Sequence, residues 1–519
     1  MKVLFSPAYQ LELDPKQASN LEPYPPLGTL YAAARLRQGG HDVRLSDSML
    51  VSGHAEFEAH LESFRPDLVA IYEDDFNYLS KMCLTNMREA ARTKARLARA
   101  RGALVVVHGS DATDHLESYL ETPMDFAILG EGEQTLFELA EALSSGNGDE
   151  AKRVAGLAFV DPDGRVVKTS ARGFLRNLDE LPFPAWDLVD IARYRRAWRA
   201  RHTRFSINMV TTRGCPYRCN WCAKPIYGQR YNVRSPAAVA EELSWLKGTI
   251  EPDHVWFADD IFGLKPGWVE AFSEEVEARG CATPYKVQAR VDLIDDGVAR
   301  ALRRSGCESV WVGAESGSQR ILDAMDKGTT VEQIVDATRL LRAEGMAVGF
   351  FLQFGYPGEV WSDIARTRSL VRDAAPDEIG ISVSYPLPGT PFYERVRAEL
   401  AVKSNWAHSD DLDLMFVGTY PPEFYRALYR LVHSEFRLRR ELRRLPHPLR
   451  LARCLANLAR WTAARIALSR WSRKGNPEVR SRRPTVEGGH EVPPRRPPPS
   501  RLRRSRRSSS EGGFEAESR

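Results

Sequence analysis

Three cysteines crowd into one short loop. Cys215, Cys219 and Cys222 lie in the run Thr211-Thr-Arg-Gly-Cys-Pro-Tyr-Arg-Cys-Asn-Trp-Cys, with three residues between the first two cysteines and two between the last two. Three thiolates on one loop can hold a four-iron, four-sulfur (4Fe-4S) cluster and leave one iron open, much as catalytic zinc sites keep one position unfilled. The spacing therefore indicates a cluster whose open iron binds another molecule.

A zinc knuckle or a closed cluster is the alternative interpretation of this loop. Each normally needs a fourth Cys or His nearby. The next candidates along the chain lack ligand-like spacing: His254, Cys281 and Cys307.

The loop resembles that of the radical S-adenosylmethionine superfamily, which has this spacing and commonly an aromatic residue, here Trp221, before the last cysteine. The resemblance implies that S-adenosylmethionine chelates the open iron and lies near Trp221. It also implies that an electron from a donor such as flavodoxin or ferredoxin cleaves it to methionine and a 5′-deoxyadenosyl radical, which abstracts hydrogen from a substrate.

The elements that must position this loop follow from a repeated pattern between residues 201 and 400. Apolar strand candidates alternate there with helical patterns, which predicts a partial (β/α)6 barrel resembling a TIM barrel, with its active site at the carboxyl ends of the strands. Arg290, at the end of the third strand, is predicted either to hold a carboxylate or balance charge, or to contact substrate. The six candidates are Phe205 to Thr211, His254 to Ala258, Tyr285 to Val291, Ser309 to Gly313, Ala347 to Gly355 and Glu378 to Tyr385.

Polar or glycine-rich turns follow several of these strands. The family resemblance implies S-adenosylmethionine contacts from Asp259 and Asp260 and from Glu315 and Ser316. Glycine at position 355 would let the backbone approach the adenine. A helix N-cap is the alternative for the aspartates, and a glycine turn with a capping serine is the alternative for Ser316.

Residues 1–150 alternate short apolar runs with amphipathic segments, as in parallel strands joined by helices. The Ala-rich segment from Leu27 to Gln38 predicts a helix that ends at Gly39-Gly40. This part is predicted to be a doubly wound, Rossmann-like domain. Residues 151–200, with a turn at Asp161-Pro-Asp-Gly, are predicted to form a connecting hairpin and linker.

The run Tyr385-Pro-Leu-Pro-Gly-Thr-Pro-Phe-Tyr resembles one branch of the superfamily, which carries an N-terminal cobalamin-binding domain. Pro25-Pro-Leu-Gly-Thr-Leu, His108-Gly-Ser-Asp-Ala-Thr and the run from Asp125 to Leu136 resemble that domain. The Asp-x-His-x-x-Gly motif that supplies an axial histidine in many cobalamin proteins is absent. A purely structural domain is the alternative. The resemblance and the glycine-rich turns put forward these cobalamin contacts: Tyr72, Asp75, Gly109, Ser110, Thr113, Gly130, Glu131 and Gly132.

The end of the chain is different in character. Residues 401–475 contain helical patterns rich in arginine and predict either a solvated cap over the barrel or a face that rests on anionic lipid. Residues 476–519 are rich in Arg, Pro and Ser and predict a disordered tail. Charge alone does not identify a nucleic-acid ligand, so none is expected.

Composition excludes several classes. The seven cysteines do not form a disulfide framework, the amino terminus lacks a signal-peptide pattern, and no apolar run is long enough to span a bilayer. A cytoplasmic, reducing location is expected. The net charge of +4 is small for 519 residues and names no partner.

These features favour a cobalamin-dependent radical C-methyltransferase. The resemblance implies that methylcobalamin delivers its methyl group to a carbon radical formed on a small or lipid-like metabolite. A radical cyclase or rearrangement enzyme is the alternative. A methylthiotransferase would need further cluster cysteines near the amino terminus, and an iron–sulfur sensor with a nucleic-acid-binding tail would not cleave S-adenosylmethionine.

Overall fold

The computed structural model describes residues 1–76, 85–146, 148–400, 405–407, 412–443, 448–469 and 471. Cys83, part of the loop after Tyr72 and the predicted disordered tail lie outside the described residues. The strands are β1 Lys2–Phe5, β2 Asp42–Leu45, β3 Leu68–Tyr72, β4 Leu104–His108, β5 Phe126–Ile128, β6 Leu157–Val160, β7 Val166–Lys168, β8 Ser206–Met209, β9 Thr212–Arg213, β10 Asn232–Val233, β11 His254–Phe257, β12 Tyr285–Ala289, β13 Cys307–Glu315, β14 Ala347–Phe354 and β15 Glu378–Val383.

The described residues also form α-helices, many of which lie between consecutive strands in the chain. They are α1 Pro15–Asn20, α2 Leu27–Gln38, α3 Ala55–Phe64, α4 Thr85–Arg99, α5 Ser110–Asp114, α6 Leu116–Leu120, α7 Glu133–Ser144, α8 Gly148–Ala151, α9 Ile191–Arg201, α10 Pro236–Thr249, α11 Trp268–Arg279, α12 Asp296–Arg304, α13 Gln319–Ala324, α14 Val331–Ala343, α15 Trp361–Ala374, α16 Pro391–Val396, α17 Pro422–Leu442 and α18 Pro448–Ser469.

The amino-terminal sheet has the strand order β2-β1-β3-β4-β5-β6-β7. Its first five strands are parallel, and β3 is a continuous apolar run that is buried throughout, as expected for a strand covered on both faces. The predicted doubly wound fold is confirmed. The predicted hairpin is also present, but β6 pairs antiparallel with β5, so the hairpin extends this sheet instead of standing between the domains.

The second sheet contains six parallel strands in the order β15-β14-β13-β12-β11-β8. Each of the six strands predicted from the sequence is present, and together they form the expected partial barrel. Alternation of side chains gives this sheet two faces. Phe257 on β11 packs edge-to-face against Phe272 of α11, which marks the outer, helix-covered face.

The inner face follows from the strand registers. Gln288 pairs with Trp311, Trp311 with Gly349, and Gln353 with Ser382, so these side chains share the face opposite the helices. Trp311 lies flat across β14, because a Cβ placed on Gly349 would be 2.4 Å from its ring. The inner face therefore provides a half-exposed aromatic surface.

The carboxyl-terminal region forms the helix pair α17 and α18, as the helical pattern predicted. Tyr425 of α17 contacts Gly355, so α17 covers the end of β14. Among the described helices, none has the length and apolar character needed to cross a bilayer.

Candidate functional site

The cysteine loop is closed at its base by a short β-ribbon. Strand β9 pairs antiparallel with β10, which brings the two ends of the loop together. Gly214 has φ +75°, and a Cβ there would lie 2.5 Å from the carbonyl oxygen of Arg230. Glycine is thus required immediately before Cys215, because only glycine fits both the conformation and the close approach.

The three thiols of the loop differ in burial, and burial favours the protonated thiol over the thiolate. Cys219 is buried, and Cys215 and Cys222 are half-buried. Burial raises the pKa of the Cys215 thiol and raises that of Cys222 to about 11. Because metal ligation needs the thiolate, positive charge must replace the protons.

Arginine and lysine side chains lie next to the cysteine loop. The Nη1 atom of Arg290 lies 4.0 Å from the Sγ atom of Cys219, and its ring-stacked guanidinium is 3.7 Å from the centre of the Tyr217 ring. Lys327 and Lys224 also interact electrostatically with the cysteines. No three His, Cys, Asp or Glu side chains in the described ranges are grouped round a single metal ion. A cluster in which each thiolate binds a different iron, surrounded by these cations, fits this donor set.

Arg290 is held in place by hydrogen bonds on three of its atoms. It pairs with Asp292 through Nε (2.9 Å) and Nη2 (3.1 Å), and it donates through Nη1 to the Lys327 carbonyl oxygen at 2.9 Å. Arg290 therefore holds a carboxylate of this chain, which is one of its predicted roles, and contact with a substrate stays a prediction. The guanidinium is fixed beside Cys219.

Asn220, which the sequence reasoning missed, anchors the loop to the barrel. Its Nδ2 donates to the Ala324 carbonyl oxygen (2.8 Å) and to Asp326 (3.0 Å), and its Oδ1 accepts from the Tyr356 hydroxyl at 2.9 Å. Its backbone carbonyl accepts from the Phe392 amide. The only available signal was its place between Cys219 and Trp221, where a single sequence offers no reason to prefer asparagine.

Asp259 and Asp260 occupy different surroundings. The buried Asp259 carboxylate accepts three hydrogen bonds of 2.7–2.8 Å, from the Thr211 amide and hydroxyl and from the Thr212 amide. It fixes the strand that leads into the cysteine loop, and burial raises its pKa to about 6. Asp260 is exposed and interacts electrostatically with Cys215 and Cys222. Neither is an N-cap of α11, since that helix begins at Trp268.

Glu315 and Ser316 form a strained turn at the end of β13. Glu315 has φ +54° and pairs with Lys327 at 2.8 Å in a buried contact. The Ser316 hydroxyl lies 3.1 Å from that of Thr367 and accepts from the Ser318 amide. Such strain persists where the surroundings over-determine it, often at ligand sites.

Gly355 and Trp221 complete the predicted S-adenosylmethionine contacts. Gly355 has φ +81°, and its amide donates to Glu359 at 2.7 Å. Burial raises the pKa of Glu359 to about 8. Trp221 packs on a small apolar cluster, and its buried Nε1–H has no hydrogen-bond partner. The barrel residues predicted from sequence thus lie in turns after the strands or in the cysteine loop, and their contacts with S-adenosylmethionine stay predictions.

The predicted cobalamin contacts lie at the carboxyl edge of the amino-terminal sheet. Tyr72 and Asp75 are buried, and the Tyr72 ring stacks on His108 with 4.0 Å between ring centres. The His108 Nε2 atom lies 2.9 Å from the Gly130 carbonyl oxygen, and burial lowers the His108 pKa to about 4. A Cβ on Gly132 would lie 2.4 Å from the Tyr72 hydroxyl oxygen. The structure therefore uses these residues to pack the sheet edge.

The other predicted contacts flank this packed centre. Gly109 has φ +146°, and the Thr113 hydroxyl donates to its carbonyl oxygen at 3.0 Å. Ser110 is buried at the start of α5. Gly130 is half-exposed and has φ +77°.

The strand order adds a crevice that suits a bound ligand. The order reverses between β1 and β3, which is where doubly wound sheets bind ligands. A cavity opens there, lined by Pro7, Tyr9, Pro26, Asp47, Met49, Glu73 and Asp74. The glycine turns at Gly109 and Gly130 lie at this same edge of the sheet, where doubly wound sheets bind their ligands. His108 faces into the packed edge, in keeping with the missing histidine-ligand motif.

A buried ion cluster joins this edge to the cysteine loop. Arg213, two residues before Cys215, donates to Glu131 at 3.1 Å and to Glu133 at 2.6 Å. Burial raises the pKa of Glu131, whereas for Glu133 the attraction of Arg213 outweighs burial and lowers the pKa. The sequence indicated Glu131 but gave no sign of its partner, because nothing in the spacing connects two sites 80 residues apart.

A second contact between the domains enters the barrel itself. The Tyr24 ring lies 4.8 Å from that of Trp256, and the Asn208 amide donates to the Pro25 carbonyl oxygen at 3.1 Å. Both Asn208 and Trp256 belong to the inner face near β8. The amino-terminal domain therefore contacts the part of the inner face that belongs to β8 and β11.

Fold and site together define a class: half-barrel proteins with a three-thiol loop joined to a doubly wound ligand-binding domain. Comparison with known proteins agrees. Residues 209–371 match the model of the radical SAM superfamily, and residues 18–140 match that of the B12 binding domain. The chain is 30% identical over 424 residues to an uncharacterised methyltransferase of Pyrococcus horikoshii, covering 80% of this chain and 88% of that protein. The chain belongs to the radical SAM superfamily, in the branch with an amino-terminal B12-binding domain.

Further relatives carry different named activities. An anaerobic magnesium-protoporphyrin IX monomethyl ester cyclase of Cereibacter sphaeroides is 28% identical over 73% of this chain and 61% of its own length. A hopanoid C-3 methylase of Methylococcus capsulatus is 28% identical over 78% of this chain and 75% of its own length. The radical S-adenosylmethionine methyltransferase TsrM from Kitasatospora setae, solved with cobalamin and a [4Fe-4S] cluster, shares the fold with a TM-score of 0.63 at 20% identity, covering 77% and 75% of the two chains.

Proposed function

We propose that this protein is a cobalamin-dependent radical S-adenosylmethionine methyltransferase that methylates an unactivated carbon. The observation that carries the proposal is the direct link from the sheet edge to the cysteine loop through Arg213, Glu131 and Glu133. Such a link is what an enzyme needs when two cofactor sites must act on one substrate. The named methyltransferases among the relatives support the same reading.

When bound, S-adenosylmethionine supplies a methyl group and, on reduction by a 4Fe-4S cluster, a hydrogen-abstracting radical, while cobalamin carries the methyl group. In this chain, Cys215, Cys219 and Cys222 would hold the cluster. Arg290 and Lys327 balance the thiolate charge, and the glycine turns at the carboxyl edge of the amino-terminal sheet would hold cobalamin. Flavodoxin or ferredoxin is the expected electron donor, and the free thiols suit a reducing compartment such as the cytoplasm.

The substrate is proposed to lie on the inner face of β13 to β15. Trp311 and Phe351 are 4.8 Å apart there, and their half-exposed rings lie over the glycines at positions 349 and 380. The buried amide of Gln353 has no hydrogen-bond partner at either polar atom. An unpaired buried amide is costly, so a ligand group that pairs with it would be favoured. A small or lipid-like metabolite with a flat apolar skeleton and one polar group fits this surface.

A radical cyclase is the second candidate, and the 28% identity to the cyclase of Cereibacter sphaeroides favours keeping it. Anaerobic, reconstituted full-length protein should be reduced with dithionite in the presence of S-adenosylmethionine, cobalamin and candidate substrates, namely flat apolar metabolites that carry one polar group. The methyltransferase predicts both 5′-deoxyadenosine and S-adenosylhomocysteine. Formation of 5′-deoxyadenosine alone would favour the cyclase, and the absence of both would contradict any radical enzyme.

A further inference from the structure

Helix α18 has one face packed and another left uncovered. Its packed face includes Cys454, Asn457, Ala464 and Leu468, which are at most 7% exposed. On the uncovered face, four large apolar side chains are exposed by 44–66%: Leu451, Leu455, Leu458 and Ile466. With the exposed Thr462 they are spaced three or four residues apart and so form one stripe along the helix.

The charges of this helix are of one sign. Between residues 448 and 469 there are four arginines, at positions 450, 453, 460 and 465, and no Asp or Glu. Arg453 and Arg460 are exposed and lie beyond a band of alanines that borders the leucine stripe. Apolar residues along one side with arginines at the margins are typical of a helix that lies in the plane of a membrane surface.

Two observations identify the occupant of this face. The following segment, residues 472–519, contains 13 Arg or Lys and 6 Asp or Glu residues, so positive charge continues beyond the helix. A second copy of the chain is disfavoured, since α18 has four arginines and no acidic residue and so offers an identical helix no opposite charge to pair with. An anionic lipid surface complements both the charge and the apolar stripe.

We propose that α18 docks on the surface of an anionic lipid bilayer, with its leucine stripe at the boundary between head groups and acyl chains. The docking goes beyond the proposed reaction and does not depend on it. Since α18 packs along α17, and Tyr425 of α17 covers Gly355 at the end of β14, docking would place the barrel mouth beside the membrane. A lipid-like substrate could then reach the barrel without crossing much water.

Flotation of the full-length protein with vesicles tests the proposal. Vesicles of equal parts phosphatidylglycerol and phosphatidylcholine should bind the protein, and vesicles of phosphatidylcholine alone should bind it at least about tenfold less, because the arginines need anionic lipid. The combined variant L451Q, L455Q, L458Q and I466Q should lose at least about tenfold of the binding through lost apolar burial. The matched control is V335Q with V360Q, which changes two apolar residues that are each 42% exposed elsewhere.

Several outcomes would overturn the proposal. Failure of the wild-type protein to float, or unchanged flotation of the leucine variant through the basic tail alone, would each do so. A concentration-dependent dimer that the leucine variant abolishes, with no vesicle binding, would instead identify a second copy as the partner. Unchanged circular dichroism and 5′-deoxyadenosine formation in the leucine variant would show that the helix substitution leaves fold and chemistry intact, which separates this test from that of the proposed function.

Discussion

The cysteine loop and the amino-terminal sheet edge are two cofactor regions built in opposite ways. In the loop, the chemical groups are neighbours in sequence, and the loop is held by Asn220 within it and by Arg290 beside it. At the sheet edge, the polar groups come from distant segments and bond to one another, as His108 does to Gly130. A local motif can therefore be recognised from spacing, whereas a site assembled by topology depends on contacts that only the fold supplies.

Substituting one cysteine should have the largest effect, and it should affect the cysteine loop without affecting the sheet edge. C219A should abolish iron–sulfur cluster binding and S-adenosylmethionine cleavage, because two thiolates cannot hold the cluster on this loop. Cobalamin binding should be unchanged. Iron content, visible absorption and 5′-deoxyadenosine formation measure the first effect, and cobalamin retention on gel filtration measures the second. C281A, a buried cysteine outside the loop, is the control; loss of the cluster in C281A as well would indicate a general folding defect.

Removing the ion pairs of Arg213, which link the two regions, should have the next largest effect, a loss of folding stability. R213M leaves Glu131 and Glu133 buried without their partner, so the free energy of unfolding should fall by about 3–5 kcal/mol. The triple change R213M, E131Q and E133Q should recover part of this loss. Urea unfolding measures both. R37M removes the exposed pair with Asp187 and should cost at most about 1 kcal/mol; an equal effect of the two substitutions would contradict the role given to burial.

Substituting Asn220 releases the cysteine loop from the barrel. It tests whether the spacing of the three cysteines is sufficient to hold the cluster. N220A removes three side-chain hydrogen bonds, with the Ala324 carbonyl, Asp326 and the Tyr356 hydroxyl, and should cost about 1–3 kcal/mol. Iron bound per chain after reconstitution should fall. N232A, which loses one bond to the Leu175 carbonyl oxygen, should keep its iron. Full iron in N220A would mean that the loop holds the cluster without this anchor.

The same contrast explains what the sequence could predict. The six barrel strands and helix α2 follow from periodicity and end signals, and all are present because local preference and burial agree there. The sequence predicts a ligand contact for Asp259 but not the three hydrogen bonds from Thr211 and Thr212 that its carboxylate accepts. The sequence does not predict the roles of Arg213, Asn220 and Lys327. Each role depends on a partner far along the chain or on a turn whose geometry the sequence does not specify.

Per pH unit, the smallest predicted effect is a pH dependence of stability that has opposite signs at the amino-terminal sheet edge and at the end of β14 in the barrel. Burial lowers the His108 pKa to about 4, so between pH 6.5 and 4 the unfolded chain binds more protons, and the sheet edge should lose stability as pH falls. Burial raises the Glu359 pKa to about 8, so between pH 4.5 and 8 the folded chain binds more protons, and the end of β14 should lose stability as pH rises. Each slope is at most about 1.4 kcal/mol per pH unit.

Hydrogen exchange of peptides from β4 and β14, measured at pH 5, 6, 7 and 8 and corrected for intrinsic exchange, can read the two slopes separately. E359Q keeps an oxygen acceptor for the Gly355 amide but cannot ionise, so it should flatten the slope at β14 and leave that at β4 unchanged. H108Q should flatten the slope at β4 only. Parallel changes at both strands would mean that the regions open as one unit. In that case the coupling through Arg213 would dominate the local burial of either group.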